Sequence, residues 1–260
     1  MSRRLMLMAA LGLVFAPTAA SAQINFQKTG YYVAMGDSVA AGEGAMPVTN
    51  GYAYQLYERG VFGQKQEIDF ANVAVRGGRS WDLRDHQVPQ VLCAEPARPT
   101  VVTITAGASD FLRGDQNIFL IASRVAASVT RLLHNGNVAL AGAPILDPFF
   151  GTVCRPLSNV TILVSNYYNI PHPDPTVKAL LDAALQGFDN SLRFLLPQIP
   201  VPTGSRVVLV DLYTPSLDRE GLVLVERRLG FTGLFNFEVH PTNLGHAFIA
   251  KEFEKAWQGQ

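Results

Sequence analysis

Five short runs along the chain are almost continuously apolar: "YYVAM" (31–35), "FANVAV" (70–75), "VVTITA" (101–106), "NVTILVS" (159–165) and "RVVLVDL" (206–212). A strand with one wet face alternates apolar and polar residues, whereas runs filled on both parities fit strands buried on both faces of a parallel sheet. Between them the apolar spacing changes to three and four. "QNIFLIASRVAASVTRLLHN" (116–135) sets Ile118, Ile121, Val125, Val129 and Leu132 on one helical stripe, and "PTVKALLDAALQGFDNSLRFLL" (175–196) does so with Leu181, Leu185, Phe188 and Leu192. "TNLGHAFIAKEFEKAWQ" (242–258) predicts a closing helix, with Ile249, Phe253 and Trp257 on its stripe and Thr242 as its N-cap.

Strand alternating with helix predicts an α/β protein: a single three-layer α/β/α domain with a mostly parallel central sheet of about five strands. Segments 135–158 and 214–237 fit the alternation poorly and read as insertions near strand ends, where α/β proteins place their sites. With 260 residues, 48% hydrophobic and without repeats, low-complexity tracts or an interdomain linker, the chain is long enough for one substantial core.

The first 22 residues stand apart from this domain. Arg3 and Arg4 precede an apolar run from Leu5 to about Ala16, and "ASA" ends at Ala22, which is the pattern of a secretory signal peptide. The run is shorter than the roughly 20 apolar residues that span a bilayer. Export with cleavage before Gln23 is therefore expected, with residues 23–260 as the mature domain, periplasmic or extracellular and without stable membrane insertion.

Lys plus Arg and Asp plus Glu each total 21, so no field of either sign selects a nucleic acid or another polyanion. Cys93 and Cys154 are the only cysteines, and in an oxidising compartment a disulfide is the default for such a pair, two buried thiols being the alternative. Closing that loop stabilises a fold by about 4 kcal/mol in the chain-entropy account.

Candidate chemistry sits at the two ends of the sheet pattern. In "MGDSVAAGEG" (35–44), Ser38 follows the first strand on a turn at its carboxyl edge, where a nucleophile is accessible; alone, such a serine is more readily a turn or cap residue. In "EVHPTNLGH" (238–246), His240 precedes the closing helix and offers the imidazole a serine needs to lose its proton. His246 reads as a packing or surface histidine, and His86, His134 and His172 have no partners at metal-ligand spacing, so no metal is expected.

Four blocks together resemble the GDSL esterases and lipases, also called SGNH hydrolases. "MGDSVAAGEG" is similar to the nucleophile block and places that role on Ser38. "NVAVRGG" (72–78) is similar to the glycine block and points to the Gly77 N–H as an oxyanion donor, beside the N–H of Ser38. "TAGASDFL" (105–112) resembles the third block, with Ser109 where the family has an asparagine, and "VHPTNLGH" (239–246) the histidine block at His240. The resemblance implies a flavodoxin-like sheet and a cofactor-free esterase or lipase acting on a small-molecule or lipid ester through an acyl-enzyme, and a monomer is expected.

Two positions depart from the family pattern. A serine hydroxyl at 109 is a shorter oxyanion donor than an amide, and one such donor is worth about 3 to 4 kcal/mol in the transition state. Phe237 occupies the position of the usual aspartate, three before the histidine, which leaves Glu238 as a possible third triad member or a backbone carbonyl as the orienting group. Asp37 and Asp110 read as braces of their loops, not catalysts. The aromatic stretches "GFTGLFNF" (230–237) and "DPFF" (147–150) suit an acyl pocket or the core equally. The same machinery would support carbohydrate O-deacetylation, and a chain that kept the fold but lost the chemistry would be a binding protein.

Overall fold

All five apolar runs form strands, β1 (Gly30–Gly36), β2 (Ile68–Asn72), β3 (Val101–Thr105), β4 (Thr161–Ser165) and β5 (Arg206–Val210), in a computed structural model of the chain. The structure describes residues 28–93, 99–136, 145–146, 153–219, 221–223 and 239–259. The strands make one sheet in the order β2-β1-β3-β4-β5 with every neighbour parallel. β3 is buried along its whole length, as are all but the first residues of β1 and β4, and the edge strands β2 and β5 are half-buried. This is the α/β/α domain expected from the sequence.

The helices are α1 (Tyr52–Glu58), α2 (Ser80–Asp82), α3 (Val88–Leu92), α4 (Ala108–Leu112), α5 (Ile118–His134), α6 (Pro175–Leu195) and α7 (Asn243–Gln258). α1 packs on α7 and α5 packs on α6. Right-handed crossovers that leave β1 in one direction for β2 and the other for β3 put these two pairs on opposite faces of the sheet. The three long helices carry the caps their sequences offer. Asn117 accepts from the Leu120 N–H, Asp174 from those of Thr176 and Val177, and Thr242 from that of Gly245. Their stripes bury Ile121, Val125, Val129 and Leu132 on α5, Leu181, Phe188 and Leu192 on α6, and Ile249 and Phe253 on α7.

Two details were not foreseen. β2 ends at Asn72, before the apolar run does, because the Asn72 side chain turns inward: its amide donates to Ala40 O (2.7 Å) and its oxygen accepts from the Ala74 N–H (3.1 Å). The backbone still follows β1, through Val73 N to Ala34 O and Val75 N to Gly36 O. Between β2 and β3, residues 80–92 form a helical stretch broken by a π turn at Leu83–Gln87. That turn aims Gln87 at the end of β1, where its amide both donates to Gly36 O and accepts from Gly36 N, each at 2.7 Å. Cys93, just past α3, is joined to Cys154 by a disulfide, with Cα atoms 5.1 Å apart. Among the described residues no helix is long and apolar enough to cross a membrane.

Candidate active site

In this strand order the chain leaves β1 towards β2 on one side and crosses to β3 on the other, and a ligand crevice opens at the carboxyl ends where the direction reverses. Ser38 lies there, two residues beyond the end of β1. Gly36 can make the exit because it has no side chain: a Cβ would meet Thr105 O at 1.8 Å, and its φ is +127°. Asp37 then caps the turn that carries the serine. Its Oδ1 accepts from the Val39 N–H (3.0 Å) and its carbonyl from the Ala41 N–H (3.0 Å). The Tyr167 hydroxyl, beyond the end of β4, donates to its other carboxylate oxygen. Asp37 is fully buried, and loss of solvation pushes its carboxyl up to about 7 against these hydrogen bonds.

His240 reaches the serine from the other end of the chain. Its Nε2 lies 2.7 Å from Ser38 Oγ, a hydrogen bond between residues 202 apart in sequence. The segment is gripped on both sides of the imidazole: Tyr168 donates its hydroxyl to Val239 O (2.9 Å), and the Thr242 N–H donates to Leu222 O (2.9 Å). Val223 and Pro241 form an antiparallel bridge. Gly245 allows this approach, since a Cβ there would stand 2.0 Å from Leu222 O. An imidazole nitrogen in contact with a serine hydroxyl can take its proton, which is the arrangement nucleophilic acyl transfer requires.

Gly77 and Ser109 lie in the loops that follow β2 and β3, on either side of the serine turn. Gly77 has φ +67° and sits against Arg113, whose Nη2 would be 2.7 Å from a Cβ at this position. Ser109 is buried in the first turn of α4. The two loops are tied together by Asp110, which accepts from the Ser80 N–H (2.6 Å) and the Ser80 hydroxyl (2.8 Å). Desolvation raises the Asp110 carboxyl above the usual carboxylate range, and these bonds oppose it. Asp37 and Asp110 are thus braces, Asp110 of two loops at once. Glu238 lies outside the described residues, as do Phe237, the aromatic stretches 147–150 and 230–237, and the leader 1–22.

Sequence reasoning passed over Glu43. Its Oε2 stands 3.5 Å from His240 Nε2, and its other oxygen is paired with Arg76. His246 proves to be a buried link: its Nδ1 accepts from the Tyr52 N–H (3.3 Å), and Nε2 faces Glu43 O at 2.9 Å. Those partners fix it as the neutral Nε2–H tautomer, and burial lowers its pKa to about 4. The readable signal for Glu43 was its pair of flanking glycines, which mark close backbone approach. An apolar cavity of about 30 Å³ lies between α4, α5 and α6, lined by Gly107, Phe111, Ile121, Tyr167, Leu185 and Phe188 among others, and not by Ser38, Gly77, Ser109 or His240. Among the described residues no group of three or more His, Cys, Asp or Glu side chains could hold a metal ion.

The sequence profile of the GDSL-like lipase/acylhydrolase family matches residues 32–253. The chain belongs to this family and is a carboxylic ester hydrolase. No curated protein sequence matches it. Solved structures of similar fold include a lipolytic protein of the G-D-S-L family from Veillonella parvula, with 14% identity and a TM-score of 0.57 over 88% of this chain and 99% of that one. A carbohydrate esterase family 3 protein from Talaromyces cellulolyticus is 16% identical with a TM-score of 0.52, over 86% and 94% of the two chains. The psychrotrophic esterase EstA from Pseudoalteromonas sp. is 17% identical with a TM-score of 0.51, over 88% and 97%. At these identities the likeness is one of fold.

Proposed function

We propose that the chain is an exported serine esterase that works through an acyl-enzyme on Ser38, with His240 as general base. The observation that carries this reading is the 2.7 Å contact between Ser38 Oγ and His240 Nε2. Ser38 Oγ attacks the ester carbonyl while its proton passes to Nε2. The carbonyl oxygen becomes an oxyanion held by the N–H groups of Ser38 and Gly77 and by the Ser109 hydroxyl. The tetrahedral intermediate expels the alcohol, which takes the proton from Nε2. Water then repeats the sequence and releases the acid, so no cofactor enters the cycle.

Hydrolysis of p-nitrophenyl acetate tests the assignment. Ser38→Ala and His240→Ala should each lower kcat at least a thousandfold in folded protein. Wild-type activity no higher than that of Ser38→Ala would reject it in favour of a binding protein on the same fold.

The same machinery also suits O-acetylated carbohydrate: higher kcat/KM on acetylated xylan oligomers than on p-nitrophenyl acetate would make deacetylation the function, and rates on p-nitrophenyl acetate, butyrate and octanoate measure the acyl length the site takes. Export is supported by the leader and by the disulfide. A secreted product that begins at Gln23 is the expected result of N-terminal sequencing.

A further inference from the structure

We propose that Glu43 is a positioning residue for His240, its carboxylate set against the imidazole nitrogen that receives the Ser38 proton. This rests on the reading of Ser38 and His240 as nucleophile and base. Three features build the placement. The Glu43 N–H donates to Ser38 O (2.8 Å), so the glutamate closes the same turn that presents the serine. His246, buried and neutral, holds Glu43 O (2.9 Å) from the first turn of α7. The flanking glycines let the loop pass beneath the histidine. Gly42 and Gly44 have φ of +86° and +89°, and a Cβ on Gly44 would stand 2.9 Å from His240 Cβ and 2.2 Å from Pro241 O. In consequence Oε2 of Glu43 is 3.5 Å from His240 Nε2, with both side chains largely shielded from solvent.

The carboxylate stands on the Nε2 side of the ring, the side that faces Ser38. When Ser38 Oγ bonds to the carbonyl carbon, its proton moves to Nε2, and the new imidazolium charge lies beside the Glu43 carboxylate. The proton stays on Nε2 until the leaving alcohol takes it; Glu43 neither gains nor loses one. A negative charge at this distance favours the protonated imidazole over the neutral one. Among the described residues the other ionisable groups around this pair are Arg76, paired with Glu43, His246 on its carbonyl, and Asp37 beneath Ser38. Arg76 is largely exposed and offsets part of the carboxylate's field.

The test is an NMR titration of the His240 imidazole in the full mature chain, alongside kcat/KM against pH on p-nitrophenyl acetate. In Glu43→Gln the His240 midpoint should fall by about one pH unit. The acidic limb of kcat/KM should move with it, and its plateau should drop about tenfold. Glu43→Asp should recover part of both. Arg76→Gln, at an exposed position, should move the midpoint the opposite way; it is read on the titration because Arg76 adjoins Gly77. A midpoint unmoved in Glu43→Gln and Arg76→Gln overturns the proposal, as does a midpoint that shifts with no change in kcat/KM. If the midpoint shifts but wild-type hydrolysis does not depend on Ser38, the esterase reading fails, and with it any catalytic role for Glu43. Should Glu43→Gln not fold, Arg76→Gln and Glu43→Asp carry the same decision.

Discussion

Ser38 stands between two surfaces that treat charge in opposite ways. The floor beneath it is dry: Asp37 is fully buried, bonded to the Val39 N–H and the Tyr167 hydroxyl, and burial pushes its carboxyl up to about 7. The wall beside it is partly open, and there Glu43 keeps its ion pair with Arg76 while facing His240. Two acids within six residues of each other thus do different work. A carboxyl that merely holds a turn can surrender its charge to burial, whereas one beside a proton acceptor acts only while it is ionised. The footing of the wall is neutral, since His246 is buried and its pKa falls to about 4.

The comparison breaks first on stability against pH. The Asp37 carboxyl titrates near 3.8 when unfolded and near 7 when folded, so the native state holds the proton longer and stability falls as pH rises between those values. The full effect is roughly 4 kcal/mol as an upper bound. Urea unfolding of Asp37→Asn should show the variant gaining on wild type from pH 4 to pH 8. A constant difference would mean that Asp37 is ionised in the fold.

His246 supplies the opposite slope in an overlapping window. Its folded pKa near 4 lies below the ordinary 6.5, so the unfolded chain binds the proton first and stability falls as pH drops from about 6.5 towards 4. That contribution is worth roughly 3 kcal/mol. The two contributions should therefore oppose each other between pH 4 and 6.5, and His246→Gln should steepen the fall in stability with rising pH that Asp37 causes. A flat profile in that variant would show that the two groups do not offset each other.

Smaller effects sharpen the contrast at the wall and at the oxyanion loops. Gly44→Ala forces a side chain to within 2.2 Å of Pro241 O at a left-handed φ, so His240 must move. A displacement of about 1 Å costs about a hundredfold in kcat. Unchanged kcat would mean that the loop gives way without disturbing the pair. Ser109→Asn should raise kcat by up to about tenfold by restoring an amide donor. A lower rate in folded protein would remove Ser109 from the oxyanion role.

The fold was legible because its determinants are local and repeated. Apolar runs filled on both parities marked all five strands, and the stripes of α5, α6 and α7 marked the three long helices. Ser38 and His240 were legible because their blocks carry backbone constraints as well as chemistry, the exit past Gly36 and the grip on Thr242. The short helices were not, since the stretch 80–92 is held by tertiary contacts, Ser80 on Asp110 and Gln87 on the end of β1. Tyr167 and Glu43 were hidden for a related reason. A tyrosine after a strand and a glutamate between two glycines read as core and solvated loop, and only the tertiary fold sets one against Asp37 and the other against His240. The end of β2 was misjudged: past Asn72 the backbone keeps its bonds to β1 through Val73 and Val75, while the Asn72 side chain takes Ala40 O and the Ala74 N–H.

The central claim is that His240 activates Ser38. A fluorophosphonate probe tests it most directly, because it reacts with an activated serine whatever the natural ester. Mass spectrometry should place the label on the peptide that contains Ser38, at a rate that falls at least a thousandfold in His240→Ala. Labelling elsewhere, or at an equal rate without the imidazole, would contradict it.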